Sequence, residues 1–124
     1  MNLVDSCGWL EYLADGPNAG AFEKPLSNLS ELLVPTLSLF EVFRVVLRER
    51  GEEEALQAAA LMRKGRVIPL TEEIALWGAK VSLERRLPMA DSLIYATALQ
   101  QGAVLWTQDA DFQGLPKVRY FPKP

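Results

Sequence analysis

Residues 88–109 read Pro88-Met89-Ala90-Asp91-Ser92-Leu93-Ile94-Tyr95-Ala96-Thr97-Ala98-Leu99-Gln100-Gln101-Gly102-Ala103-Val104-Leu105-Trp106-Thr107-Gln108-Asp109. Pro88 suits a first helical position, and Gly102 falls where a helix over 88–101 should stop. A short β-like run, Ala103 to Trp106, follows the glycine at once, and a carboxylate, Asp109, comes soon after the run. A helix stopped by glycine and succeeded by a short apolar strand is the repeating unit of a parallel sheet with helices on its faces.

The same alternation extends outward from this stretch. Strands are predicted at Asn2-Leu3-Val4, Leu32-Leu33-Val34, Val67-Ile68-Pro69-Leu70 and Val118-Arg119-Tyr120-Phe121, besides Ala103–Trp106. Helices are predicted near 6–14, 18–30, 36–50, 52–64, 72–86 and 88–101. Thr71 with Glu73 and Ile74 marks a helix start, and Gly51 and Gly65 mark stops. No repeat, low-complexity tract or Pro/Gly/Ser linker divides the chain, so residues 1–124 are expected to form one α/β domain.

Composition narrows the chemistry. A chain of 124 residues, 49% hydrophobic and 23% charged, can bury a core. Its longest apolar run, Leu32–Phe40, is broken by Pro35 and two hydroxyl residues, short of a membrane span. The segment Met1-Asn2-Leu3-Val4-Asp5 has no basic region and predicts no signal peptide, hence a cytoplasmic location. The single cysteine, Cys7, excludes an internal disulfide and a cysteine-based zinc site, and reads as a packing residue. With no histidine, Ser-His-Asp and Cys-His catalysis cannot be built from this chain alone. Any catalysis must therefore fall to carboxylates. The net charge of −3 argues against binding polyanions by overall charge, so such contact would need local basic groups or bound cations.

Four carboxylates stand in informative places. Asp5 follows the first strand and Asp109 the fourth, and in open α/β sheets ligands bind at the carboxyl ends of strands. Capping of the next helix is an equally good reading of Asp5 by itself. Glu41 lies on an otherwise apolar helix, where at about 100° per residue Ser38, Glu41, Arg44 and Arg48 form one polar stripe. A solvent-facing seam with a Glu41–Arg44 pair is the plain alternative. Asp91 shares its helix face with Ile94, Tyr95 and Ala98, so it points into an apolar sector, where a carboxylate needs a partner or a metal. Compensation of the helix dipole accounts for its place in the first turn but not for its face. Asp111, two residues after Asp109, either shares the site or belongs to an Asx-type turn beside Phe112; it is weighted below Asp109 and kept outside the quartet.

Four segments together resemble the PIN-domain family, particularly the VapC toxins of toxin–antitoxin pairs: Leu3-Val4-Asp5-Ser6, Ser38-Leu39-Phe40-Glu41, Ala90 to Ala98, and Thr107-Gln108-Asp109-Ala110-Asp111-Phe112. Order, spacing and length agree over essentially the whole chain. The resemblance implies a three-layer α/β/α fold with a five-stranded, mostly parallel sheet of order 3-2-1-4-5. It implies endoribonuclease activity with Mg²⁺ or Mn²⁺ held by Asp5, Asp91, Asp109 and Glu41, a homodimer, and a cognate antitoxin. Tyr95 departs from the family pattern, where a small residue is usual, as does Gln108, where a basic residue is common and could contact phosphate. Arg44, on the stripe with Glu41, and Thr107, in the fourth segment, are candidates for holding the RNA substrate.

Converging carboxylates repel one another, so the quartet makes sense as an oxygen-rich site for a hard cation, with one ion or two. Two rival readings stay open: a non-catalytic interaction protein that keeps the fold, and a metal-dependent nuclease acting on DNA. Trp9, Trp77 and Trp106 are expected in the core or at a dimer interface.

Overall fold

The computed structural model describes residues 1–124. Five strands alternate with six helices: β1 (Asn2–Val4), α1 (Ser6–Leu13), α2 (Ala19–Leu26), β2 (Leu32–Pro35), α3 (Thr36–Arg50), α4 (Glu52–Met62), β3 (Arg66–Ile68), α5 (Glu72–Arg85), α6 (Met89–Gln100), β4 (Val104–Thr107) and β5 (Val118–Tyr120). Short 3₁₀ turns occupy Leu29–Glu31 and Ala110–Phe112. The sheet order is β3-β2-β1-β4-β5, with every neighbouring pair parallel. This is the α/β architecture expected from the sequence pattern, with the strand order that the family resemblance implies.

Side-chain alternation along the strands explains the three layers. Leu3, Leu33 and Leu105 are in register across β1, β2 and β4 and face α5 and α6, packing with Ile74, Val81, Ile94 and Ala98. Their neighbours Val4, Leu32, Val34 and Trp106 face the other way, into a second core with Trp9, Phe22, Val42 and Met62 of α1–α4. Both faces of the sheet are covered, as parallel sheets require, and β2 is accordingly buried at every position. No helix is long and apolar enough to cross a membrane. Trp9 and Trp106 lie in the core and Trp77 packs partly against it.

Two glycines are needed for their geometry. A Cβ on Gly8 would lie 2.7 Å from Val4 Cγ1 and 2.8 Å from the Phe22 ring, so its absence lets α1 approach β1 and α2. Gly51, at φ +94°, makes the single-residue joint between α3 and α4.

Some boundaries differ from the sequence reading. The helix expected over 18–30 ends at Leu26: the Ser27 hydroxyl donates to the Lys24 carbonyl at 3.2 Å, and the chain then turns through Leu29–Glu31. The third strand stops at Ile68. Pro69 has no N–H to give, and the Leu70 N–H is taken by Thr36 Oγ1 at 3.2 Å. Pro88 precedes the first turn of α6 as its cap instead of opening it, and the hydroxyl of Thr71 caps α5 by accepting from the Ile74 N–H.

Candidate active site

The sheet order reverses between β1 and β4: the chain passes from β1 outward through β2 and β3, then returns to the other side of β1. Such a switch point leaves a crevice at the carboxyl ends of the two strands. Val4 pairs with Trp106, and the Asp5 N–H donates to the Trp106 carbonyl at 2.9 Å, so Asp5 and Thr107 leave the sheet side by side.

Asp5 is only 5% exposed, and its carboxylate is well supplied with donors. Oδ1 accepts from the Ser6 N–H at 2.8 Å, as the N-cap of α1. Oδ2 accepts from the Thr107 hydroxyl at 2.8 Å and from the Cys7 thiol at 3.3 Å. Burial nevertheless raises its pKa. The donors from Thr107, Cys7 and Ser6 oppose the shift, and the Glu41 charge adds to it. Cys7 is therefore more than packing. Burial and the Asp5 charge push its thiol up to about 12, which keeps it a protonated donor.

Thr107, expected at the substrate, is wholly buried, and its hydroxyl is spent inside the protein. It donates to Asp5 Oδ2 and accepts from the Asp109 N–H at 2.9 Å, tying the ends of β1 and β4 together. Ser6 makes a second tie, because its hydroxyl donates to Glu41 Oε1 at 2.7 Å while its N–H serves Asp5. Glu41 thus meets α1 and forms no ion pair with Arg44. The polar stripe of α3 is graded rather than uniformly wet: Ser38 is fully buried with an unpartnered hydroxyl, Glu41 half-buried, and Arg44 and Arg48 exposed, with Arg48 paired to Glu49.

Asp91, Asp109 and Asp111 form the tightest acidic group, each offering an oxygen within 4.8 Å of the others. The sequence weighted Asp111 below Asp109 and left open whether it joins the site; here its carboxylate lies with the other two. The turn there is made by Asp109, whose Oδ1 accepts the Asp111 N–H at 2.9 Å, and the 3₁₀ turn then returns the Asp111 carboxylate toward Asp91. An Asp at i and i+2 before a buried aromatic, here Phe112, was the available signal. Tyr95 braces this turn from α6: its ring lies against Phe112 at 6.2 Å and its hydroxyl donates to the Pro116 carbonyl at 2.8 Å. Asp91 is pushed up to about 8, first by burial, then by the Asp109 charge, a hydrogen bond with Asp111 and the charge of Asp5.

Hard oxygen donors that resist ionising together fit a Mg²⁺- or Mn²⁺-type cation, which would relieve the repulsion that raises Asp91. Asp91, Asp109 and Asp111 are the group close enough to share one ion, with Asp5 within electrostatic reach and Glu41 joined through Ser6. The site lies apart from a 740 Å³ concavity between α1, α3 and α4 lined by Leu10, Leu13, Val45, Val46 and Leu61.

Comparison with known proteins agrees with this architecture. The family model of the PIN domain matches residues 3–118. A toxin–antitoxin complex from Klebsiella pneumoniae is similar at 21% identity and a TM-score of 0.82, over 99% of this chain and 100% of that one. VapC20 of Mycobacterium tuberculosis, described as a Sarcin-Ricin loop cleaving toxin, is similar at 21% identity and a TM-score of 0.77, over 96% and 99%. VapBC2 of Rickettsia felis, bound to a DNA fragment from its promoter, gives 14% identity and a TM-score of 0.74, over 98% and 97%. No curated protein sequence matches the chain. A family match that runs from the first strand to the last, on a sheet whose reversal gathers aspartates at its carboxyl edge, means that this chain belongs to the PIN-domain family.

Proposed function

We propose that the chain is a metal-dependent endoribonuclease, the toxin of a cytoplasmic toxin–antitoxin pair, which hydrolyses RNA phosphodiester bonds. The observation that carries the reading is the convergence of Asp91, Asp109 and Asp111 beside Asp5 at the β1–β4 switch point. Similar structures support it, one described as a Sarcin-Ricin loop cleaving toxin and another as a toxin–antitoxin complex. A homodimer and a cognate antitoxin belong to the same reading.

Asp91, Asp109 and Asp111 would hold Mg²⁺ or Mn²⁺, with Asp5 and Glu41 completing the acidic set. Such an ion supplies an activated water and neutralises charge building on the phosphate. The chain's own part is positioning. Thr107 and Ser6 fix Asp5 from two sides, and Ser6 holds Glu41 toward the same crevice. The raised pKa of Asp91 keeps a proton on the cluster until a cation takes its place. Arg44 is exposed, unpaired and one turn beyond Glu41, well placed to meet a flanking phosphate.

The test is incubation of antitoxin-free protein with single-stranded and structured RNA and DNA in Mg²⁺, Mn²⁺ or EDTA, beside Asp5→Asn, Asp91→Asn and Asp109→Asn. Cleavage of RNA that needs the metal and is lost in each variant is expected. Cleavage surviving EDTA or the substitutions overturns the metal-site reading. DNA-only cleavage would make the chain a DNA nuclease, and no cleavage of either would leave a PIN-like interaction protein.

A further inference from the structure

Gln108 stands between Thr107 and Asp109, yet the carboxylate chemistry makes no use of its side chain. It is 8% exposed, and its Oε1 accepts from Asn18 Nδ2 at 3.0 Å. The same Asn18 nitrogen donates to the Pro122 carbonyl at 3.1 Å. A carbonyl oxygen can only accept, so Asn18 must present its NH₂ group to Pro122 and therefore to Gln108. Gln108 must answer with its oxygen, which fixes the orientation of its amide. Its Nε2 has no partner in the chain, and it is not among the sealed polar atoms that lack one.

Gln108 lines a 470 Å³ cavity together with Asp109, Tyr120, Lys123, Cys7 and Pro122. The volume falls within the ~300–1,000 Å³ usual for small-ligand sites. Asp109 opens the cavity directly onto the acidic cluster. Tyr120 supplies a half-buried aromatic ring, and Lys123 an exposed ammonium with no ion pair. A ring, a cation and a fixed amide donor next to a phosphodiester-cleaving centre are the parts of a nucleotide subsite.

We propose that this cavity receives the nucleotide adjoining the cleaved phosphate of single-stranded RNA, and that Gln108 Nε2 selects a keto base there. The inference rests on the ribonuclease reading above. Uracil and guanine carry a carbonyl oxygen where cytosine and adenine carry an amino group. A keto base accepts from Nε2, whereas an amino base sets donor against donor and leaves both unpaired. Tyr120 stacks on the base whatever its identity, and Lys123 meets the phosphate on the far side of the nucleotide.

Titration of ¹⁵N-labelled protein in Mg²⁺ with uridine, guanosine, cytidine and adenosine monophosphates reads this directly. The Gln108 side-chain amide resonances should move with the uridine and guanosine nucleotides, and these should bind about 10-fold more tightly than the other two. Gln108→Glu, which still accepts from Asn18 but offers no donor, should reverse the preference, and Gln108→Met should abolish it. Tyr120→Leu should weaken all four alike. Equal affinities, unmoved Gln108 resonances, or a preference unchanged in Gln108→Glu would overturn the proposal. Keto-selective binding without RNA cleavage by the wild type would fault the ribonuclease reading and leave the pocket standing. Cleavage with the Gln108 amide undisturbed would do the reverse.

Discussion

Asp91→Asn removes a charge that the folded chain resists. The Asp91 carboxyl has an ordinary value of 3.8 in the unfolded chain and about 8 in the folded one. Between those values the native state binds more protons than the unfolded state, so stability falls as pH rises, by up to about 1.4 kcal/mol per pH unit. The penalty is absent below pH 4 and complete above pH 8. Asp91 is half-buried, and screening by water and counter-ions reduces the penalty to about 1–2 kcal/mol. Asparagine never ionises and escapes it. For a chain of this length the variant should melt roughly 3–10 °C higher at pH 8 in EDTA, and level with the wild type at pH 4. Saturating Mg²⁺ should invert the order, since a ligand at 100 times its Kd adds about 2.7 kcal/mol to the native state and the variant loses an oxygen ligand. Scanning calorimetry at pH 4, 6 and 8, with EDTA or Mg²⁺, measures all of this. A lower Tm for Asp91→Asn at pH 8 in EDTA refutes the reasoning and makes the carboxylate a structural acceptor.

Three further outcomes follow from particular contacts. Thr107→Val deprives Asp5 of a donor and leaves the Asp109 N–H without its acceptor, so urea melts should show a loss of about 1–3 kcal/mol, with Thr107→Ser close to wild type. Equal stability of the valine and serine variants would contradict the tie between β1 and β4. Gly8→Ala should gain helix propensity but lose more to the clash with Val4 and Phe22, for a net loss of about 1–3 kcal/mol by the same assay. A more stable alanine variant would show that α1 can shift outward. Cys7, whose thiol is pushed up to about 12, should be alkylated by iodoacetamide at pH 8 at least ~100-fold more slowly than in urea-unfolded protein, as followed by mass spectrometry. Comparable rates would mean that the thiol does not serve Asp5 as a protonated donor.

The parts of this fold legible in the sequence are those set by local pattern. Leu3-Val4, Leu32-Leu33-Val34 and Val104-Leu105-Trp106 are apolar on both faces because both faces are covered, and the lengths of α3 to α6 follow from apolar periodicity between glycines and caps. The end of α2 was not legible, because a serine hydroxyl turning back to the Lys24 carbonyl leaves no compositional mark. In the site, Asp91 was legible through its apolar neighbours, a conflict that local sequence displays. Asp111 was legible only as one of two readings, and the hydrogen-bonding role of Cys7 and the inward role of Thr107 were not legible at all. Their places depend on a turn closing across Asp109 and on two strands more than a hundred residues apart lying side by side. Gln108 stood out only as a departure from the family pattern, and its function rests on the orientation that Asn18 and Pro122 impose.

The central strand is also the first one synthesised. On the ribosome, β1 can acquire β2 after about thirty residues, but its other edge stays open until β4 emerges roughly a hundred residues after β1 itself. The nascent chain therefore carries Asp5 and Glu41 long before it carries Asp109 and Asp111, and the edge that β4 will cover is the one beside Asp5. Contacts this distant in sequence form late and slowly. The acidic centre comes together only once β4 and the turn after it have arrived, so a product stalled before them has no complete centre and an exposed strand edge that invites aggregation.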